Sequence, residues 1–192
     1  MCIRDSYNAD PNLNEVFVAD SVTFRGYGQP RHLATWTNGV DLFNRRLRIQ
    51  SMLDFRGGHK WYNNTERIRC VSRQNCNGLQ NPDASFEEQA MVVATRNHPA
   101  ATLDGFFQKG DFLRFREMTV QYNLGPDLSQ KLFRSRSVSV LVTGRNIARW
   151  TDYRGVDPEN DYQVTTGADS PGGDFQTLGI PSYYILRVNI NR

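Results

Sequence analysis

The reading turns on two stretches, GDFLRFREMTVQYNL at residues 110–124 and SVSVLVTGRN at residues 137–146. Both alternate with a period of two. In the first, Met118, Val120, Tyr122 and Leu124 share one face, while Glu117, Thr119, Gln121 and Asn123 share the other. In the second, Val138, Val140 and Val142 oppose Ser137, Ser139, Thr143 and Arg145. Each run is long enough to cross a bilayer as a tilted strand. The brief polar break from Gly125 to Arg134 makes them an expected antiparallel pair. A soluble sheet with one buried face alternates in the same way, so the pair alone leaves soluble and membrane β-structure open.

Upstream, Arg31 to Phe43 sets Ala34, Trp36, Val40 and Leu42 against Thr35, Thr37, Gly39 and Asp41. A tight turn at Asn44-Arg45 leads into Arg46 to Arg56, where Leu47, Ile49, Leu53 and Phe55 oppose Arg48, Gln50, Met52 and Asp54. Downstream, Ser182 to Asn191 sets Tyr184, Leu186, Val188 and Ile190 against Tyr183, Arg187, Asn189 and Asn191. Asp41, Arg48, Asp54, Glu117, Arg145 and Arg187 thus sit within strands on the polar side, where a water-filled or plugged lumen would solvate them. Glu15 to Arg25 is a short β-prone run ending at Gly26-Tyr27-Gly28, which reads as a bend because a dinucleotide loop would need a third glycine and a following helix.

Between the strand pairs the alternation stops. Gly57 to Lys109 and Thr151 to Gly179 are long and polar, and within the first only Ser85 to Ala94 is helix-compatible, with Ser85 and Glu88 at capping-box spacing. The connections therefore run short, long, short, long along five strands. Bacterial barrels segregate short periplasmic turns from long external loops, which a sandwich has no reason to do. The expected fold is all-β, an antiparallel transmembrane β-barrel fragment with long extracellular loops. The alternative is a secreted β-sandwich that binds carbohydrate.

The bulk numbers agree with the barrel. The chain has 192 residues, 39% of them hydrophobic, and a mean hydropathy of −0.59, low for a compact soluble core. No apolar run reaches the length of a helical span. The 23 basic and 20 acidic residues are intermixed, with no stripe to follow a nucleic-acid backbone. Cys70 and Cys76 lie in CVSRQNC; a bridge there suits an oxidising compartment, and two unpaired thiols are the other reading. His32, His59 and His98 lack zinc-ligand spacing. Residues 1–6 read as a non-native leader, and 7–192 as the C-terminal part of a longer protein.

Particular residues then carry a resemblance. Asp111-Phe112-Leu113-Arg114-Phe115-Arg116-Glu117-Met118-Thr119-Val120-Gln121-Tyr122 is one such segment, and Thr143-Gly144-Arg145-Asn146-Ile147-Ala148-Arg149-Trp150-Thr151-Asp152-Tyr153 with Gly155-Val156-Asp157-Pro158-Glu159 is the other. They resemble the C-terminal barrel region of SusC/RagA-type TonB-linked outer-membrane transporters, with Gly58 through Tyr62-Asn63-Asn64-Thr65-Glu66 as supporting marks. The resemblance implies a plugged barrel of about 22 strands in the bacterial outer membrane, importing oligosaccharides or peptides. It also implies a SusD-like surface lipoprotein as lid, TonB reached through an N-terminal region outside this chain and outer-membrane lipid around the wall; no cofactor is expected, and the intermixed charge gives no expectation of nucleic acid. Members commonly finish on an aromatic residue, whereas this sequence reads Asn189-Ile190-Asn191-Arg192.

Trp150, Tyr153, Asp157 and Glu159 are the candidates for substrate or lid contact. Aromatic faces stack on sugar rings, although Trp150 and Tyr153, like Trp36, Phe55, Tyr122 and Tyr184, also suit an interfacial girdle. Asp157, Glu159 and Asp161 offer hard oxygen ligands for calcium, without the glycine and distal glutamate of a calcium loop; a solvated loop is the plainer account. Asn63-Asn64-Thr65 matches a glycosylation acceptor and equally a loop tip. No nucleophile elbow, paired-histidine helix or phosphate loop is present, and the chain is not expected to be an enzyme.

Overall fold

The computed structural model describes residues 2–3, 16–17, 24–96, 102–160 and 172–191. In chain order the elements are β1 (Cys2–Ile3), β2 (Val16–Phe17), β3 (His32–Leu42), β4 (Leu47–Gly57), β5 (Lys60–Asn63), α1 (Asn64–Val71), α2 (Asn77–Gln80) and α3 (Phe86–Arg96). There follow a 3-10 turn (Asp104–Phe106), β6 (Phe107–Lys109), β7 (Phe112–Asn123), α4 (Pro126–Phe133), β8 (Ser137–Thr151), β9 (Gly173–Asp174) and β10 (Tyr183–Asn191). The chain divides into two units, which are described separately. No helix among the described residues is long and apolar enough to cross a membrane.

One unit holds the five alternating runs. They pair in the order β10-β8-β7-β4-β3, every neighbour antiparallel, so the sheet is a meander in chain order. Register keeps the faces matched: Trp36 lies across from Leu53, Ile49 from Val120, Val120 from Val142, and Val142 from Leu186. Side chains on that face stand out into the surroundings, with Val142 48% and Leu186 69% exposed. On the other face Thr119 and Thr143 share a hydrogen bond of 2.9 Å.

Strict alternation from Met118 backwards would have placed Arg116, Arg114 and Phe112 on the apolar face. A bulge prevents this. Phe115 pairs with Leu53 and Glu117 with Met52, so Arg116 is the extra residue and the phase of β7 inverts there. Leu113 and Phe115 take the apolar side, while Arg114 and Arg116 join Asp54 on the polar side. On β8 the matching irregularity holds Asn146 at φ 51°, a left-handed conformation that asparagine tolerates better than most residues. Its side-chain amide donates to the Pro181 carbonyl at 3.1 Å, tying the bulge to the start of β10. Gly144 before it is buried beneath Tyr184; an added Cβ would lie 3.1 Å from Tyr184 Cε1.

Two connections differ from the reading of the sequence. The β3–β4 turn spans Phe43 to Arg46, with Phe43, Asn44 and Arg45 all left-handed. The β7–β8 break is a helix, α4, started by Pro126 in its first turn and ended by Arg134 at φ 48°.

The other unit corrects the expectation of an all-β chain and of a long segment with little regular structure. The chain is mostly sheet, but 58–110 folds into α1, α2 and α3 with short strands β5 and β6, and β9 runs parallel to β5. Asn63 caps α1 by accepting from the Glu66 amide at 2.9 Å, and Ser85 accepts from the Glu88 amide at 3.3 Å at the start of α3. A core of Tyr62, Val92, Phe106 and the joined Cys70 and Cys76 lies between these elements, with Met91 and Phe107 packed on it. β1 pairs with β2; the rest of the Glu15 to Arg25 run up to residue 23 falls outside the described residues.

Candidate functional site

The unit of helices α1 to α3 contains a cleft of about 500 Å³. Its floor is Cys70, Met91 and Phe107, and Phe107 stacks on Tyr62 with ring centroids 5.1 Å apart. Ion pairs make its walls. Arg69 meets Glu66 at 3.0 Å one turn apart on α1, Lys109 meets Asp152 at 3.7 Å, and Arg154 meets Glu88 at 2.7 Å. Glu88 joins two walls, because its second oxygen accepts from Asn77 Nδ2 at 2.7 Å. Close approach of α2 to α3 makes this reach available: a Cβ on Gly78 would fall 2.5 Å from the Glu88 carbonyl oxygen. The Arg154 amide donates to Gln108 Oε1 at 3.0 Å, closing the rim. Carboxylates, guanidiniums and amides over a small apolar floor suit a ligand with both charges and amide groups.

Beside the cleft lies a buried polar lock. Asp174 on β9 accepts from Tyr153 Oη at 2.5 Å and from Thr65 Oγ1 at 2.9 Å, and Thr65 Oγ1 in turn accepts from the Gln176 amide at 2.8 Å. Burial, and then the hydrogen bond to the Asp174 carboxylate, push the Tyr153 hydroxyl well above its ordinary range. This ties the 152–160 segment, α1 and β9 into one piece.

The sequence-derived candidates are distributed as follows. Tyr153 and Asp157 are buried, at 5% and 1% exposure, and each takes part in a hydrogen bond within this unit. Asp157 Oδ1 accepts from the Glu159 amide at 3.1 Å, closing its own turn; Glu159 is half-buried and Asp161 falls outside the described residues. Trp150 is exposed on the apolar face of β8, in register with Leu113. In the sheet unit Asp54 accepts from Arg116 at 2.6 Å, Arg145 Nε meets Glu117 at 2.7 Å, and Asp41 meets Arg48 at 3.8 Å. Arg187 lies across from Leu141 on the same polar face.

Cys70 and Cys76 are joined, with Cα atoms 4.9 Å apart. Glu66, Cys70 and Cys76 form the one grouping of metal-type ligands among the described residues, all within 4.8 Å of one another. With the sulfurs bonded to each other, no thiolate is on offer to a metal. His59 is buried in the helical unit, His32 begins β3, and His98 lies outside the described residues.

Sequence reasoning missed the cleft because its walls come from five separated segments, of which all but Ser85 to Ala94 read singly as polar loop. The spacing Ser85 to Glu88 was the one available signal, since it fixes the helix that carries the bridging carboxylate.

No family model and no curated protein matches the chain. Among solved structures it is similar to a chain of the RagAB peptide importer in an "open-open" state, with a TM-score of 0.51 and 17% identity over 76% of this chain and 16% of that one. It is also similar to a chain of the RagAB peptide transporter, with a TM-score of 0.53 and 19% identity over 68% and 15% of the two chains. A "closed-closed" state of the RagAB importer gives a TM-score of 0.54 and 16% identity over 81% and 18%. The chain thus spans less than a fifth of each of these solved chains, and at these identities the likeness is one of fold.

Proposed function

We propose that the chain is the C-terminal part of the barrel wall, with outer loops, of a TonB-dependent nutrient importer in the bacterial outer membrane. One observation carries this reading. Across β3, β4, β7, β8 and β10 every Asp, Glu and Arg lies on one face, and the opposite face, free of these residues in all five strands, is mostly exposed or half-exposed. A wall between lipid and a wet lumen calls for this segregation. The bulge in β7 maintains it where simple alternation would have failed. A sandwich would need a second sheet over the apolar face, and Trp36, Val142 and Leu186 there are exposed instead.

The similarity in fold to chains of a peptide importer supports a transport role. In this reading the parent protein supplies the plug, the remaining strands and the TonB contact. The segments 57–109 and 151–179 face outward, where a SusD-like lipoprotein docks and an oligosaccharide or peptide is captured. The cleft of mixed charge is the capture surface this chain contributes.

The test uses adjacent residues on opposite faces of β10. In the full parent protein, Val188→Arg is expected to abolish the heat-resistant folded form, because an arginine facing lipid near the midplane costs about 2–4 kcal/mol. Asn189→Arg, which faces the lumen, is expected to leave it. Equal tolerance of the two overturns the wall.

A further inference from the structure

At the short-turn end of the sheet the connection between β7 and β8 is more than a turn. Helix α4 places Leu128 and Leu132 one turn apart on one side, with Phe133 following, and all three are exposed, Leu132 by 66%. Phe43 of the adjacent β3–β4 turn is exposed as well. That turn is fastened to the same end of β7: the Asn123 amide donates to the Arg46 carbonyl at 2.7 Å, and Asn123 Nδ2 donates to the Arg45 carbonyl at 3.0 Å.

The helix lies against the start of β8. The Leu124 amide donates to the Val138 carbonyl at 2.9 Å, and Ser129 and Ser135, within and just beyond the helix, are buried. Val138 belongs to the apolar face and is only 2% exposed, while Val142 and Trp150 farther along β8 are open. The exposed apolar side chains of α4 therefore stand at the end of the sheet where β8 begins. The cations are gathered here too. Arg45, Arg46, Lys131, Arg134 and Arg136 occupy the two connections, and Asp127 is the one carboxylate in them. None of the five cations forms an ion pair among the described residues.

We propose that α4 and the Phe43–Arg46 turn form an interfacial anchor, seating the short-turn end of the wall in the headgroup layer of an anionic phospholipid leaflet. This rests on the wall reading above. Leu128, Leu132, Phe133 and Phe43 enter the boundary between headgroup and acyl chain, and the surrounding basic residues meet lipid phosphates. Position at the end of the apolar-faced sheet and the excess of five cations over one carboxylate favour lipid over a protein partner, because a soluble partner cannot reach a face that the bilayer already covers.

The experiment places an environment-sensitive fluorophore at Leu132→Cys in the full parent protein, with Cys2→Ser and with Cys70 and Cys76 left joined. The protein is reconstituted in phosphatidylcholine vesicles and in vesicles of phosphatidylcholine mixed with phosphatidylglycerol. The expected result is a blue-shifted emission, quenched by lipids brominated near the headgroup. Quenching should be at least about twofold stronger with phosphatidylglycerol, and this dependence should weaken in Lys131→Gln/Arg134→Gln, since one cation near an anionic surface is worth roughly a fivefold change in occupancy and three cations remain. Water-like emission in both vesicles overturns the anchor, as does a shielded label that brominated lipid does not quench, which would point to a protein cover. A label at Val142→Cys separates the two readings. Lipid quenching there with none at Leu132 sinks the anchor alone, whereas no lipid quenching at Val142 sinks the wall beneath it.

Discussion

Arg116 and Asp54, sixty-two residues apart in sequence, are joined by two hydrogen bonds to one carboxylate oxygen, from Nη2 at 2.6 Å and from Nε at 3.1 Å. The bulge makes this contact, since Arg116 is the residue left over when Leu53 pairs with Phe115 and Met52 with Glu117. Thr35 Oγ1 donates to the other oxygen at 3.1 Å, and Arg56 approaches within 3.6 Å. Removing Arg116 leaves a largely buried carboxylate short of its best donor. Arg116→Ala is expected to cost about 1–3 kcal/mol, and Asp54→Asn less, because the amide oxygen still accepts. Denaturant titration of the parent protein in detergent checks both values; a neutral Arg116→Ala would mean that the bulge is held by backbone register alone.

Much of this architecture was legible. The five runs, their faces and their order follow from alternation and connection length, because a strand with one wet side leaves a period-two record in its residues. Arg114 and Arg116 were not legible, since a bulge shifts the phase without any local composition to announce it. Helix α4 was hidden by its length of eight residues, too short for periodicity to rise above a turn rich in polar groups. The cleft failed for a different reason. Glu66, Glu88, Lys109 and Arg154 acquire meaning only together, and the helices that assemble them depend on tertiary packing around Phe106 and Val92.

Tyr153 and Asp174 set a pH dependence whose sign is fixed. The Tyr153 hydroxyl is held well above its ordinary value of 10.0, first by burial and then by its bond to Asp174. Its contribution to the helical unit is therefore complete below about pH 10 and falls as the pH rises beyond that, because the opened chain loses the proton that the folded one keeps. The limiting slope is about 1.4 kcal/mol per pH unit. Tyr153→Phe is expected to weaken the unit at neutral pH, by about 1.5–3 kcal/mol for a hydrogen bond to a charged acceptor, and to flatten the alkaline slope. Proteolysis of the 152–179 segment followed against pH reads both effects, and an unchanged slope in the phenylalanine variant would assign the alkaline loss to another group.

Glu88 is the bridge of the cleft, holding Asn77 at 2.7 Å and Arg154 at 2.7 Å on separate oxygens. Glu88→Gln keeps an acceptor for one partner and loses the charge for the other. The outer pair is exposed at Arg154, so its loss alone is small. Glu88→Ala removes both contacts and is expected to release α2 from α3, with faster hydrogen exchange across 77–81 and weaker ligand capture. Glu88→Gln should reproduce the capture defect with little change in exchange. If both variants exchange alike and capture normally, the cleft is a structural seam and not a binding surface.

The bridge between Cys70 and Cys76 closes a loop that begins at the end of α1 and finishes at the start of α2. Both cysteines are buried in the core with Tyr62, Val92 and Phe106, so the bond does two things: it shortens the opened chain and it fills core volume. In the chain-entropy account a loop this small contributes about 2 kcal/mol. Reduction keeps both side chains in the core, although the sulfurs must move apart to non-bonded contact. Reduction should therefore cost less than Cys70→Ala/Cys76→Ala, which also leaves a cavity. Arg69, just before the loop, and Arg73, within it, are tryptic sites, with Arg69 held by Glu66 and by the Asn75 carbonyl. The expected order of cleavage there is oxidised slowest, reduced faster and double alanine fastest, while cuts in β7 and β8 stay unchanged. Equal cleavage of the oxidised and reduced forms would show that packing around Cys70 and Cys76, and not the covalent link, holds the helical unit closed.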